Sequence, residues 1–276
     1  MSTPDTSEAQ VFGGILSKRK ARSMTEMQQW QSVAVSHRDG VTQLRFHTKG
    51  GPMVWSAQAH RDLTDAFRWV GTHRATKVVL MTGTGDTFCS EIDVHGFADM
   101  SWDDVWWEGR RMLTGLDDID VPVVSVVNGP ATIHSEIAVM GDIVLAADHA
   151  VFADRAHFAV RNTVPGDGVN LIWGELLGPT RAKYFLLTGE AIDAAEAKRL
   201  GVVNEVLPVD RVQDRAWELS QQLAERSLPV LRYTKAAITI GFRRGLAENI
   251  SHGLGVQGSG HWSRGGVRAE KYSSES

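Results

Sequence analysis

The stretch GPATIHSEIAVMGDIVLAA, residues 129–147, sets small residues, then His134 and Glu136, ahead of an apolar helical run. Histidine has an unperturbed pKa close to neutrality, so at such a place it can take or give a proton during a reaction. Glu136 has two readings. It is a catalytic carboxylate, or it is an acid favoured by the positive end of a helix, and the second is preferred here. His37, His47, His73, His95, His149, His252 and His261 fall into no constellation. No close histidine pair with a third ligand is present, so no metal is expected. The GTG at 83–85 follows a strand pattern but lacks the third glycine and downstream acid of a dinucleotide site, and no cofactor is expected. The LDDID at 116–120 reads as a solvated turn, and Cys89, with no sequence-local base, as a packing residue.

These residues need a scaffold, and the apolar periodicity supplies one. Two alternating runs in SVAVSHRDGVTQLRFHT, residues 32–48, flank a turn and predict a hairpin. SAQAHRDLTDAFRWVGTH, residues 56–73, puts Leu63, Phe67 and Val70 on one helical face with Ser56 as cap. KVVLMTGTG, PVVSVVNGP and DIVLAAD read as buried strands. DTFCSEIDVHGF reads as a loop leading into the helix DDVWWEGRRMLTGLDDID, which Pro122 helps to end. HSEIAVMGD, PTRAKYFLLTG, DAAEAKRLG, VDRVQDRAWELSQQLAER and LPVLRYTKAAITIGFRRGLAENI are helical by spacing. Alternating strands and helices predict an α/β core. The expected organisation is a polar arm over 1–28, an α/β core over 29–208, and a helical C-terminal module with a tail over 209–276, Gly/Ser-rich from Gly253.

The net charge of −4 gives no electrostatic case for nucleic acid or an anionic membrane, and the basic run Lys18–Arg22 reads as part of a solvated tail. A single cysteine rules out an intrachain disulfide and fits a reducing compartment. No apolar run is long enough to span a bilayer, and the first residues lack the order of a signal peptide. A cytoplasmic location is therefore expected. The nine tryptophans are expected in the core or at subunit contacts, with some lining an apolar pocket.

From about Ser32 to Gly245 the chain resembles the crotonase (enoyl-CoA hydratase/isomerase) superfamily. The landmarks are VVLMTGTGDTFCSEID, VPVVSVVNGPA, GDIVLAAD, VPGDG and AKYFLLTGEAIDAAEAKRLGVVNEVLP. The resemblance implies a spiral of ββα units with a helical C-terminal module, assembled as a homotrimer or a dimer of trimers. It also implies enolate stabilisation by two backbone N–H groups, here that of Ile92 and that of Ile133 or His134. The side chains depart from the acyl-CoA enzymes. Glu91-Ile92 stands in place of a Gly-Ala pair, TIHSE in place of a glycine run, and His157 near the place of a second glutamate. Glu136 falls where hydratases carry one catalytic glutamate.

A narrower resemblance accommodates these departures. TIHSEIAVM, RAHFAVRNTVPGDG and VWSAQAH are similar to the 6-oxocamphor hydrolase group of β-diketone hydrolases. These cleave a carbon–carbon bond between two ketone carbonyls with water and without coenzyme A. The likeness carries over His60, Trp55, His134, His157 and Asp167, with Gln257 standing where that group has a glutamate. It implies that His157, paired with Asp167 across a loop containing Pro165-Gly166, activates water. His134 then bonds the enolate oxygen or protonates the enolate carbon, while His60 beside Trp55 orients the other carbonyl. An acyl-CoA hydratase or isomerase is the alternative, and a non-catalytic scaffold of the same fold is a second one.

Overall fold

The computed structural model describes residues 25–263. The basic run at 18–22, the arm up to residue 24 and the tail from 264 lie outside the described residues. The strands are β1 (Thr25–Gln29), β2 (Val33–Arg38), β3 (Val41–Phe46), β4 (Val54–Trp55), β5 (Val78–Thr82), β6 (Glu91–Ile92), β7 (Val123–Val127), β8 (Ile143–Ala147), β9 (Val151–Phe152), β10 (Ile192–Asp193) and β11 (Glu205–Leu207). The helices are α1 (Ala57–Thr72), α2 (Trp102–Asp117), α3 (Ser135–Val139), α4 (Phe158–Arg161), α5 (Val169–Thr188), α6 (Ala194–Arg199), α7 (Val209–Ala224) and α8 (Leu228–Ser263).

Asp39 and Gly40 join β2 to β3 with φ of 51° and 84°, the left-handed backbone of a tight hairpin turn, which glycine adopts at no cost. The large sheet runs β1-β2-β3-β5-β7-β8-β11. Its first three strands are antiparallel neighbours, and the pairings from β3 onward are parallel. The side-chain alternation of strands explains its two faces. Val78 and Leu80 of β5 point to one side, where Val212, Ala216 and Ala224 of α7 cover them. Val79 and Met81 point to the other, into the larger core with Leu63, Phe67, Leu113 and Trp173.

A second layer of short pairs, β4–β6 and β9–β10, is bridged by Cys89–Ala131 and Ala131–Phe152. After β3, β5, β7 and β8, the chain passes through this layer before its next helix, which is the ββα spiral expected. It is also the arrangement that gathers Trp55, Ile92, His134 and His157 at one end.

Three sequence expectations need correction, and one unassigned stretch is filled. The arm does not extend to residue 28, because β1 pairs with β2 and belongs to the sheet. The boundary at 208 does not separate two bodies, because α7 closes one face of that sheet. The apolar run at Val169–Leu177, unassigned in sequence, forms the first half of α5, which bends at Gly178-Pro179. Most consequential, the Gly/Ser-rich stretch after Gly253 continues α8 as far as Ser263. Glycine there is a packing choice. Gly253 crosses Gly166 so closely that a Cβ on either would fall on the other's carbonyl oxygen.

Candidate active site

The chemistry-bearing residues meet at one cavity of about 590 Å³. Trp55, His60, Ile92, His134, His157, Asp167 and Gln257 line it, with Phe97, Met100 and Trp102 adding apolar wall. Ile133 and Glu136, expected on the wall, stand behind it; both are buried, and neither borders the cavity.

Each histidine is set by its local backbone. His134 takes the left-handed position ahead of α3, with φ 49° and ψ 48°, and this turns its ring onto Trp55 with 3.9 Å between centroids. Its Nδ1 lies 2.7 Å from Glu136 Oε1 and 3.8 Å from Asp167 Oδ2. His157 precedes α4, and Asp154 three residues earlier curls back to it. Asp154 Oδ1 accepts from the Ala156 N–H at 3.1 Å and faces His157 Nδ1 at 2.9 Å. The opposite ring nitrogen, Nε2, lies 3.0 Å from Asp167 Oδ2 and 3.3 Å from the Gln257 amide nitrogen. Asp167 owes its place to the loop that lets Gly166 pass against α8.

His157 and Asp167 are thus brought together, but not in the expected way. A water-activating histidine needs one nitrogen turned to its carboxylate and the other to water. Here both ring nitrogens face carboxylates, so His157 has no nitrogen left for water. Burial pushes its pKa down, but the Asp167 charge and the hydrogen bonds to Asp154 and Asp167 outweigh it and hold the imidazole well above its usual value. Burial pushes the Asp167 carboxyl up, and the His157 cation with its hydrogen bond reverses this and leaves it well below the usual range. The His157 imidazole, its proton held strongly, therefore lies between the Asp154 and Asp167 side chains. Two oxygens of this row, Asp154 Oδ2 and Asp167 Oδ1, are buried without a protein partner.

His134 is built differently. Burial lowers its pKa, and the Glu136 charge and hydrogen bond, aided by Asp167, raise it above the usual value on balance. Glu136 is fully buried, and burial raises its pKa against the pull of His134. Its preferred reading as a helix-start acid holds for its place, and the geometry adds a partner. It sits in the first turn of α3, but its carboxylate is spent on the His134 ring. Because Nδ1 is so engaged, Nε2 is the nitrogen His134 has left for the cavity. His134, Glu136 and Asp167 each place one ligating atom within 4.8 Å of the others, a spacing a cation can use, yet His134 Nδ1 already bonds Glu136 in that cluster.

Two backbone donors remain at this end. The Asp93 N–H donates to Trp55 O, and Trp55 pairs with Ile92 in a parallel ladder, so the Ile92 N–H points away from β4. The Ile133 N–H is taken by Cys89 O at 3.1 Å, which leaves that of His134 as the second donor. Cys89 is buried, and burial with the nearby Glu136 charge pushes its thiol up to about 12, consistent with packing rather than reactivity.

Two residues escaped sequence reasoning. Asp154 had a local signal, since it lies one helical turn before His157. Glu108 of α2 had none; it meets His60 Nδ1 at 2.8 Å across 48 residues.

The chain belongs to the enoyl-CoA hydratase/isomerase family, whose model matches residues 37–261. Among curated relatives, the mouse peroxisomal enoyl-CoA delta isomerase 3 is 28% identical over 86% of this chain and 74% of its own length. The carnitinyl-CoA dehydratase of Citrobacter koseri is 36% identical over 53% and 57%. Among solved structures, a β-diketone hydrolase from the cyanobacterium Anabaena sp. PCC 7120, bound to (S)-3-oxocyclohexyl acetic acid, is 40% identical with a TM-score of 0.80, covering 83% of this chain and 93% of that one. It is of the group that the histidine-bearing motifs resemble. An enoyl-CoA hydratase of Mycobacterium avium subsp. paratuberculosis, 24% identical with a TM-score of 0.73 over 85% and 90%, shares the crotonase fold. No helix among the described residues is long and apolar enough to cross a membrane.

Proposed function

We propose that this protein is a cofactor-independent hydrolase that cleaves a carbon–carbon bond of a cyclic β-diketone by retro-Claisen chemistry. The observation that carries the reading is the Asp154–His157–Asp167 row, which ends on the cavity wall beside His134. With the imidazole proton held strongly and the Asp167 carboxyl depressed, the row takes up a proton only in passing, at Asp167. Water held in the cavity beside Asp167 attacks one ketone carbon and gives its proton to the row. The carbon–carbon bond then breaks, and its electron pair leaves as an enolate. The N–H groups of Ile92 and His134 hold the enolate oxygen, and the His134 ring protonates the enolate carbon. The proton held at Asp167 returns to His134 Nε2 through cavity water, since Nδ1 keeps its own proton against Glu136. Water and diketone become one keto carboxylate and one proton.

The likeness to the Anabaena β-diketone hydrolase supports the substrate class. The test is turnover of a monocyclic or bicyclic 1,3-diketone by the wild-type and His157→Ala proteins. Undiminished turnover by the variant would overturn the assignment. The curated relatives favour a second reading, an acyl-CoA hydratase or isomerase. Against it, no lysine or arginine is among the described residues lining the cavity, whereas a coenzyme A handle brings several phosphate charges. Titration with an acyl-CoA separates the readings; tight binding would favour the second. Assembly as a homotrimer or dimer of trimers belongs to the same proposal and is tested by light scattering.

A further inference from the structure

His60 and Glu108 form a third histidine–carboxylate pair, and the His60 ring, like that of His134, lies against Trp55. His60 lies in the first turn of α1, which Ser56 caps, and it is buried with its ring edge-on to Trp55 at 5.8 Å and to Phe97 at 6.4 Å. Its Nδ1 meets Glu108 Oε2 at 2.8 Å, and the Thr64 hydroxyl, bonded to His60 O and 3.4 Å from Glu108 O, ties α1 to α2 at this level. Glu108 does not border the cavity; the next residue, Gly109, does. A Cβ at Gly109 would stand 3.5 Å from His60 Nε2, so the missing side chain leaves this edge of the ring uncovered toward the cavity.

A single ring bonded through Nδ1 to a fixed carboxylate has its flip and its tautomer settled together. We propose that Glu108 is a positioning residue: it holds His60 by Nδ1 so that Nε2 faces the cavity, and with a proton on each ring nitrogen the ring donates from Nε2 to the substrate oxygen that the Ile92 and His134 N–H groups do not hold. A 1,3-diketone carries two oxygens, and both histidine rings lie against Trp55. The inference rests on the hydrolase reading and deepens it, because it makes recognition of the second oxygen a matter of α2.

The test compares Glu108→Gln, Glu108→Ala and wild type on a cyclic 1,3-diketone, with a cyclic monoketone as competitive inhibitor. Loss of the charged hydrogen bond should raise KM for the diketone roughly ten-fold in Glu108→Ala, less in Glu108→Gln, with kcat changed by no more than about two-fold. The inhibition constant of the monoketone, which offers one oxygen, should stay the same in all three proteins. With diketone bound, the ¹⁵N spectrum of the His60 ring should show a proton on each nitrogen in wild type and a single proton exchanging between them in Glu108→Ala. An unchanged KM, an equal loss of monoketone affinity or an unchanged His60 spectrum would overturn the role of Glu108. Absence of diketone turnover by wild type would instead overturn the hydrolase reading itself.

Discussion

The loop after β7 and the loop after β9 each deliver one buried histidine to the same cavity, each with a carboxylate on Nδ1. They differ at the other nitrogen. His157 gives Nε2 to Asp167, while His134 keeps Nε2 for the cavity and lays its ring against Trp55. The same residue pair thus serves two purposes. In the first loop the carboxylate tunes a group that faces the cavity. In the second it completes a charged row whose outer member, Asp167, faces the cavity instead. What decides between them is a third side chain, brought in by the loop under α8.

If this division is right, the largest loss should follow removal of the outer member of the row. Asp167→Asn should lower kcat on a cyclic 1,3-diketone by about 10³-fold, in the upper range for loss of a general base. A drop under ten-fold would shift the proton-accepting role away from the row. His134→Ala should cost about 10²-fold, and reaction in heavy water should then place deuterium on both faces of the product's α-carbon. Single-face labelling in that variant would assign the protonation elsewhere.

A smaller effect separates the two backing carboxylates. His134 must carry a proton to give one, and its pKa is raised, so kcat should fall as pH rises through that value. Glu136→Gln removes the chief raising influence and should move this alkaline limb to lower pH, whereas Asp154→Asn should leave it in place. The pH profiles of the two variants check this.

The smallest effect is on stability. The folded pKa of His157 lies well above the unfolded value of about 6.5, so its stabilisation is fully present below that pH and fades as pH rises through the folded value. Asp167 acts in the opposite sense, since its folded pKa is depressed and its contribution fades in acid. Tm should therefore decline on the alkaline side, and the decline should begin at lower pH in Asp154→Asn. An identical Tm profile would mean that Asp154 does not support the His157 charge.

Most of the scaffold was legible because it follows local rules. The alternation in Val78–Met81, the turn at Asp39-Gly40 and the cap at Ser56 state their own structure. The site was legible only where a motif carried it. The resemblance pointed to His134, His157 and Asp167, and the three do meet, but the Asp154 bond that removes His157's free nitrogen changes what the histidine can do. Asp154 was within reach, one turn before His157. Glu108 was not, because α2 meets α1 through packing that no local pattern encodes. The glycines after Gly253 misled for a related reason. Glycine weakens a helix by propensity, yet here its small size is what permits the crossing, and tertiary packing decides.

That crossing of Gly166 and Gly253 ties the durability of the site to the fraying of one helix end. The seven-stranded sheet has α7 on one face, and on the other a large core to which Leu254 is the late α8 contributor. The loop that presents Asp167 needs the last turns of α8. Gentle heating that unwinds α8 beyond Ile250 would therefore dismantle the cavity while the sheet still stands, so the protein would cease to be a catalyst some degrees before it ceases to be folded.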